Sequence, residues 1–166
     1  RFPGYETYRA SVGSPFVLED VLRRHPKLRI YVMHYASPLV DEMIAMMFTH
    51  PNLYVDVACN NWSFPRAQFH DALKRMVDAG FEKRILFGSD QMYWPDAIGE
   101  GIKAIETAPF LDAGQKRDIL YNNAARFLRM TPSAVSKLVA RLEARLGTRL
   151  VNRTTRKLLL TPEGRT

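Results

Sequence analysis

Two residues combine a reactive type with a telling position. His34 and Asp90 each follow an apolar run directly, in "YVMHYA" and "ILFGSD". If those runs are parallel strands, both side chains stand at strand C-terminal ends, where parallel α/β sheets place their sites. A His and an Asp there can ligate a divalent metal, or act as a ligand beside a general base. The same pair also reads as a hydrogen-bonded His and an Asp that N-caps the next helix, and spacing alone does not choose. The other histidines lack this placement. His25 in "RRHPKL" and His50 in "THPNLY" precede strands, at the opposite end of a sheet. His70, beside Phe69, falls in a helix and is expected at the surface. Asp56 lies inside a strand, where a buried carboxylate needs a partner. Cys59 ends that strand and is expected as a small buried hydrophobe rather than a ligand. Trp62, Tyr93 and Trp94 fall in loops after strands, where aromatic rings can wall a substrate pocket.

The elements that must position these residues follow from apolar patterning. "LRIYVM" (28–33), "NLYVDVA" (52–58) and "RILFGS" (84–89) are rich in Val, Ile, Leu and aromatics, as strands buried on both faces are. Helical segments separate them. Ser14-Pro15 supplies an N-cap with Pro at the first helical position, leading into "FVLEDVLRR". Residues 38–48 are apolar at helical spacing. Phe69, Leu73, Met76 and Val77 line one face of a further helix, which Gly80 ends. A helix over 96–106 follows the third strand, and Asp112 with Gln115 forms a capping box for "QKRDILYNN". Alternating strands and helices imply right-handed βαβ units in a parallel sheet. Three strands are too few for a whole α/β barrel of about 250 residues. The expectation is a small open sheet or the back half of a barrel, with two sheet edges left unpaired.

Charge divides the chain of 166 residues. The net charge is +7, but residues 131–166 alone hold eight Lys and Arg against two Asp and Glu. A basic tail on a neutral body suits an anionic partner, nucleic acid or an acidic membrane, or else a solvated face. Thr131-Pro132 starts a helix whose apolar stripe is Val135, Leu138, Val139, Leu142 and Leu146, closed by Gly147. Ser133, Ser136, Lys137, Ala140, Arg141 and Arg145 occupy the other face. "RLVNRTTRKLLLT" then reads as a hairpin with a basic tip. The single cysteine, Cys59, allows no internal disulfide, so a reducing, cytoplasmic setting is expected. No run of 18 apolar residues suggests a membrane span.

The motifs also carry two resemblances. "HPKLRIYVMH", "HPNLYVDVA", "RILFGSDQMYWP" and "ILYNNAARFL" resemble, in order and spacing, the amidohydrolase family related to metal-dependent decarboxylases. The likeness covers about residues 1–130. It implies a distorted α/β barrel with Zn²⁺ or a similar ion at the strand ends. By that likeness His34 matches a histidine that binds metal or substrate, and Asp90 an aspartate that serves as metal ligand and proton shuttle. The family's His-x-His is missing, for no two histidines here are two apart, and a further strand-end histidine should precede Arg1. "TPSAVSKLVARLEARLGTRLVNRTTRKLLLTPEG" resembles the winged helix-turn-helix of LysR-type transcription regulators. That likeness implies that Ser133, Ser136 and Lys137 face bases or phosphates of duplex DNA, and that Arg153 and Arg156 meet the backbone from the wing. "NAARFLRM" occupies the register of the regulator's helix before the turn, and Arg129 stands where a turn glycine is usual.

The expected architecture is therefore α/β: residues 1–130 as the C-terminal half of a TIM-like (β/α) barrel, and 131–166 as a partial winged helix-turn-helix. The expected function is that of a fragment of a metal-dependent hydrolase or decarboxylase acting on a small carboxylate or amide, inactive by itself, with a homo-oligomer as one form. The alternatives are a DNA-binding element and a fusion fragment without function.

Overall fold

The computed structural model describes residues 9–94, 96–149, 151–153 and 158–160. Three parallel strands form its main sheet in the order β1 (Ile30–Val32), β2 (Leu53–Asp56), β3 (Ile85–Leu86). Each is shorter than its apolar run, because the flanking residues turn into loops and 3₁₀ turns. Ile30 pairs with Leu53, Val32 with Val55, and Val55 with Ile85. Leu53, Val55 and Ile85 are fully buried on one face of the sheet.

The helices that cover this face follow the sequence pattern. Ser14 accepts from the Phe16 N–H and opens a 3₁₀ turn over Pro15–Leu18, which runs into α1 (Glu19–Arg24). Next comes α2 (Val40–Thr49), which buries Met43, Met46 and Met47. After β2 stand the short α3 (Asn60–Ser63) and α4 (Arg66–Asp78). The latter buries Phe69, Leu73 and Met76, and Gly80 follows it at φ 84°. After β3 stands α5 (Ala97–Glu106). These side chains and the strands form one core. Arg84 ties its lower end together: its guanidinium donates to the carbonyls of Met47, His50 and Leu53.

The last helical segment bears on the edge problem. Asp112 and Gln115 make the capping box of α6 (Ala113–Arg117), which continues through a π-helical turn (Asp118–Asn122) into α7 (Asn123–Phe127). Leu86 faces β2, since its carbonyl accepts from Val57, so Ile85 and Phe87 face the other edge of β3. The helical segment covers that edge. The Phe87 N–H donates to Ile119 O, and Asn123 Nδ2 donates to Ile85 O and Glu82 O. Two unpaired edges were expected; β3 is instead closed by the chain itself. Asp118 sits beside Arg126 and Asn122. Burial raises its pKa, but hydrogen bonds from both neighbours and the charges of Arg126 and Lys83 outweigh that and hold it below the ordinary carboxylate range. Its contribution to stability is present above that range and fades as the pH falls through the lowered value.

α8 (Pro132–Leu146) has the expected caps: Thr131 Oγ accepts from the Ala134 N–H, and Gly147 is left-handed at φ 66°. Of its apolar stripe, Leu138, Leu142 and Leu146 are about half exposed, while Val135 and Val139 are partly buried. β4 (Val151–Arg153) pairs antiparallel with β5 (Leu158–Leu160), as the hairpin reading requires.

Candidate functional site

The C-terminal ends of the three strands converge on His34, Asp56 and Asp90. His34 lies in the 3₁₀ turn after β1, with φ 57°. Its ring Nδ1 is 2.9 Å from the Ala58 carbonyl. A carbonyl oxygen only accepts, so Nδ1 carries the proton in that bond. In the neutral ring Nε2 then has a free lone pair. It faces Asp90 Oδ2 at 3.9 Å. Asp90 is itself left-handed (φ 51°), and its side chain makes no capping bond to the turn over Gln91–Tyr93. The N-cap alternative for Asp90 therefore finds no bond, while the hydrogen-bonded state of His34 leaves its other nitrogen unengaged. Sequence spacing placed both residues at strand ends; folding brings them together across β2.

Asp56 holds this arrangement from below. It is 7% exposed, and its Oδ1 accepts from the backbone N–H of His34 at 2.8 Å and of Ala58 at 3.1 Å. Burial pushes its pKa up, and the two N–H bonds partly offset that. These are the partners a strand carboxylate required. Asp56→Ala leaves two N–H groups without an acceptor and is expected to cost about 2–4 kcal/mol, since each orphaned buried donor costs about 1–3 kcal/mol. Asp56→Asn keeps an acceptor oxygen and removes the charge, so it is expected to stay within about 1 kcal/mol of the parent. Urea denaturation distinguishes them; equal losses in the two variants would show that the N–H bonds contribute nothing.

The remaining candidates divide. Trp62 is half-buried, donates from Nε1 to Ser89 O at 2.6 Å and stands edge-on to Trp94 at 6.0 Å. The two rings therefore flank the β3 exit. The side chain of Tyr93 lies outside the described residues. Tyr35, next to His34, was not singled out by sequence; it is 1% exposed, and burial pushes its phenol up to about 12, so it stays protonated. Asn60 and Asn61 were also missed; nothing in "CNNWSF" separates them from ordinary loop amides. Two expectations fail. Cys59 is partly exposed rather than buried, because its backbone turns outward at φ 60°, and its Sγ lies 3.4 Å from Ser63 Oγ. His70 is half-buried rather than at the surface: its Nε2 bonds the Ala104 carbonyl and its ring meets Phe110 edge-on.

A divalent metal fits this donor set only in part. Two lone-pair groups 3.9 Å apart favour a cation between them, and two ligand bonds of about 2.0–2.2 Å span such a gap. Among the described residues, however, no group of three or more His, Cys, Asp or Glu gathers to hold an ion. A catalytic zinc normally takes about three protein ligands.

The DNA-facing candidates are placed as follows. Ser133, Ser136 and Lys137 are exposed on α8, and the Ser133 hydroxyl lies 2.9 Å from that of Thr131. Arg153 ends β4; its side chain, and Arg156 altogether, lie outside the described residues. No helix among the described residues is long and apolar enough to cross a membrane.

Comparisons with known proteins find two families, whose matches overlap over residues 121–130. The amidohydrolase family model matches residues 3–130. That of the bacterial regulatory helix-turn-helix proteins of the lysR family matches residues 121–165. An uncharacterized TIM-barrel protein from Bordetella bronchiseptica superimposes with a TM-score of 0.60 at 25% identity, over 72% of this chain and 40% of its own. The 5-carboxyvanillate decarboxylase of Sphingomonas paucimobilis shares the fold, with a TM-score of 0.54 at 20% identity, over 77% of this chain and 42% of that one. This chain thus spans less than half of either. The HTH-type transcriptional regulator CrgA of Neisseria meningitidis is 57% identical over 44 residues, which are 26% of this chain and 15% of the regulator. The probable hydrogen peroxide-inducible genes activator of Mycobacterium avium is 44% identical over 75 residues, 45% of this chain and 21% of its own.

Proposed function

The chain belongs to the amidohydrolase family through residues 3–130, and from that premise we propose that His34 and Asp90 form part of an active site for a small carboxylate or amide substrate. The observation that carries this reading is the His34 ring, fixed through Nδ1 with Nε2 turned toward an uncapped Asp90. In that state Nε2 accepts a proton or a ligand, and Asp90, at the end of β3, moves the proton. Trp62 and Trp94 give the site its apolar wall, with Tyr93 beside them in sequence. Members of this family are metal-dependent. The two donors here fall short of a full ligand set, so this pair by itself would hold an ion only weakly. Zinc is the metal this reading favours.

The test uses zinc as the probe. Titration calorimetry is expected to show weak binding that His34→Ala and Asp90→Asn each abolish. After dialysis against a mild chelator, the metal retained is expected to fall well below one per chain, as two ligands imply. Zinc held one per chain after dialysis would mean a ligand set larger than this pair, and binding unchanged in both variants would exclude the pair.

A second reading rests on a separate observation, the exposed basic face of α8 in a segment that matches a DNA-binding family. We propose that residues 131–166 form a duplex-binding unit, in which Ser133, Ser136, Lys137, Arg153 and Arg156 meet the DNA. A boundary after residue 130 is supported by the φ of 54° at Arg129 and by the new helix that Thr131 caps.

A further inference from the structure

Backbone strain gathers at the strand exits. Among the described residues, six that are not glycine have positive φ: His34, Tyr35, Ala36, Cys59, Asp90 and Arg129. Five of these lie in the loops after β1, β2 and β3. Such conformations are costly and persist only where the surroundings over-determine them. β1 and β3 are not neighbours, since β2 lies between them. The sheet spaces the two strands through β2, but no ladder bond joins the loop that carries His34 directly to the loop that carries Asp90. The exit of β2 lies between those loops and can tie them.

α3 supplies it. Three consecutive side chains of this four-residue helix donate to backbone carbonyls on both sides. Asn60 Nδ2 reaches His34 O at 3.0 Å, in the β1 exit. Asn61 Nδ2 reaches Gly88 O at 2.9 Å, and Trp62 Nε1 reaches Ser89 O at 2.6 Å, both in the β3 exit. Asn60 and Asn61 are 4% and 1% exposed. Two glycines permit the approach: a Cβ on Gly88 would stand 2.8 Å from Ala58 Cβ, and one on Gly101 only 2.7 Å from Asn61 Nδ2. Asn61 Oδ1 is buried without a partner, so the side chain is held here by its donor bond to Gly88 O.

We propose that Asn60, Asn61 and Trp62 are positioning residues, and that α3 is a clamp tying the His34 loop to the Asp90 loop. The clamp bonds the backbone that carries the pair. It thereby sets the 3.9 Å between Nε2 and Oδ2.

The proposal rests on His34 and Asp90 being the functional pair, and the experiment separates the two claims. Amide hydrogen exchange is followed by NMR on the full chain for the parent, Trp62→Phe, Asn60→Leu and Gly101→Ala. Trp62→Phe deletes one donor and keeps an aromatic ring; Gly101→Ala leaves every donor and displaces Asn61. The bonded amides of His34 and Ser37 in one loop, and of Phe87 and Trp94 in the other, report the clamp. Those of Val57 and Phe69 report the core. The loop amides are expected to exchange about tenfold faster, the effect of losing one hydrogen bond, while the core amides keep the parent rate. Zinc affinity is expected to fall by a similar factor. Uniform acceleration in loops and core would reduce α3 to general stability and overturn the clamp, as would loop exchange at the parent rate. Local acceleration in a protein whose parent binds no zinc would uphold the clamp and remove the reading of the pair as a zinc site.

Discussion

Duplex DNA binding by this chain is expected to weaken roughly 10²–10³-fold as salt rises from about 50 to about 200 mM, the loss that about four to six neutralised phosphates produce. The charge responsible is local. Residues 131–166 carry eight Lys and Arg against two Asp and Glu, and Lys137, Arg141 and Arg145 stand exposed on α8. Each phosphate contact releases counterions, so Lys137→Ala and Arg153→Ala should each lower the salt slope by about one unit and weaken binding to all sequences alike. Sequence preference is expected to be poor, because specificity in helix-turn-helix proteins comes from paired recognition helices at a set half-site spacing. Fluorescence anisotropy with two unrelated duplexes measures both properties. A flat response to salt would leave the basic face as a solvated surface. A tight, sequence-selective complex would show that α8 and its neighbours make a complete reading head.

Asn123→Ala is expected to destabilise the body by about 2–4 kcal/mol, because it strips the donor from two carbonyls at once, and each orphaned buried group costs about 1–3 kcal/mol. Asn123 is fully buried. Its Nδ2 lies 2.7 Å from both Glu82 O and Ile85 O, and its Oδ1 accepts from Arg126 Nη1 at 2.6 Å. In a protein of this size that loss lowers Tm by roughly 5–15 °C. Leu128→Ala, at a site 56% exposed in the same stretch, should change stability by less than about 0.5 kcal/mol. The pair of variants decides which fold owns residues 121–130, which both family models claim. If Asn123→Ala is neutral in thermal unfolding, the segment is not part of the barrel-like body. A large loss assigns it there.

Much of this organisation is legible in residue order. The periodicity at Phe69, Leu73 and Met76 marks a buried helix face because burial on a helix repeats every three to four residues. Capping is equally local: Asp112 with Gln115, and Thr131 ahead of Pro132, act within a single turn. The positive φ at Arg129 agrees with what the resemblance implies, since the regulator usually has a turn glycine at that place. The places of His34 and Asp90 follow from strand direction alone.

Contacts between distant segments are not legible in this way. His70 and Cys59 show this, since their exposure depends on Ala104 and Phe110 in one case and on a backbone turn in the other. The covered edge of β3 depends on a helix more than thirty residues further along reaching Ile85 and Phe87. The sequence by itself determined the three strands, the longer helices, their order and caps, and the ends of the strands at which reactive groups fall, because each depends on neighbours within one or two turns; it left the short α3, which carries Trp62, as a loop. Only the tertiary structure decided that His34 turns Nε2 toward Asp90, that Asp56 is consumed by two N–H bonds, and that Asn60, Asn61 and Trp62 join the two loops. Those outcomes rest on hydrogen bonds between residues more than twenty positions apart, apart from the two-residue reach from Asp56 to Ala58. No local pattern of side chains encodes such a meeting; it exists once packing has brought the strand ends to one side of the sheet.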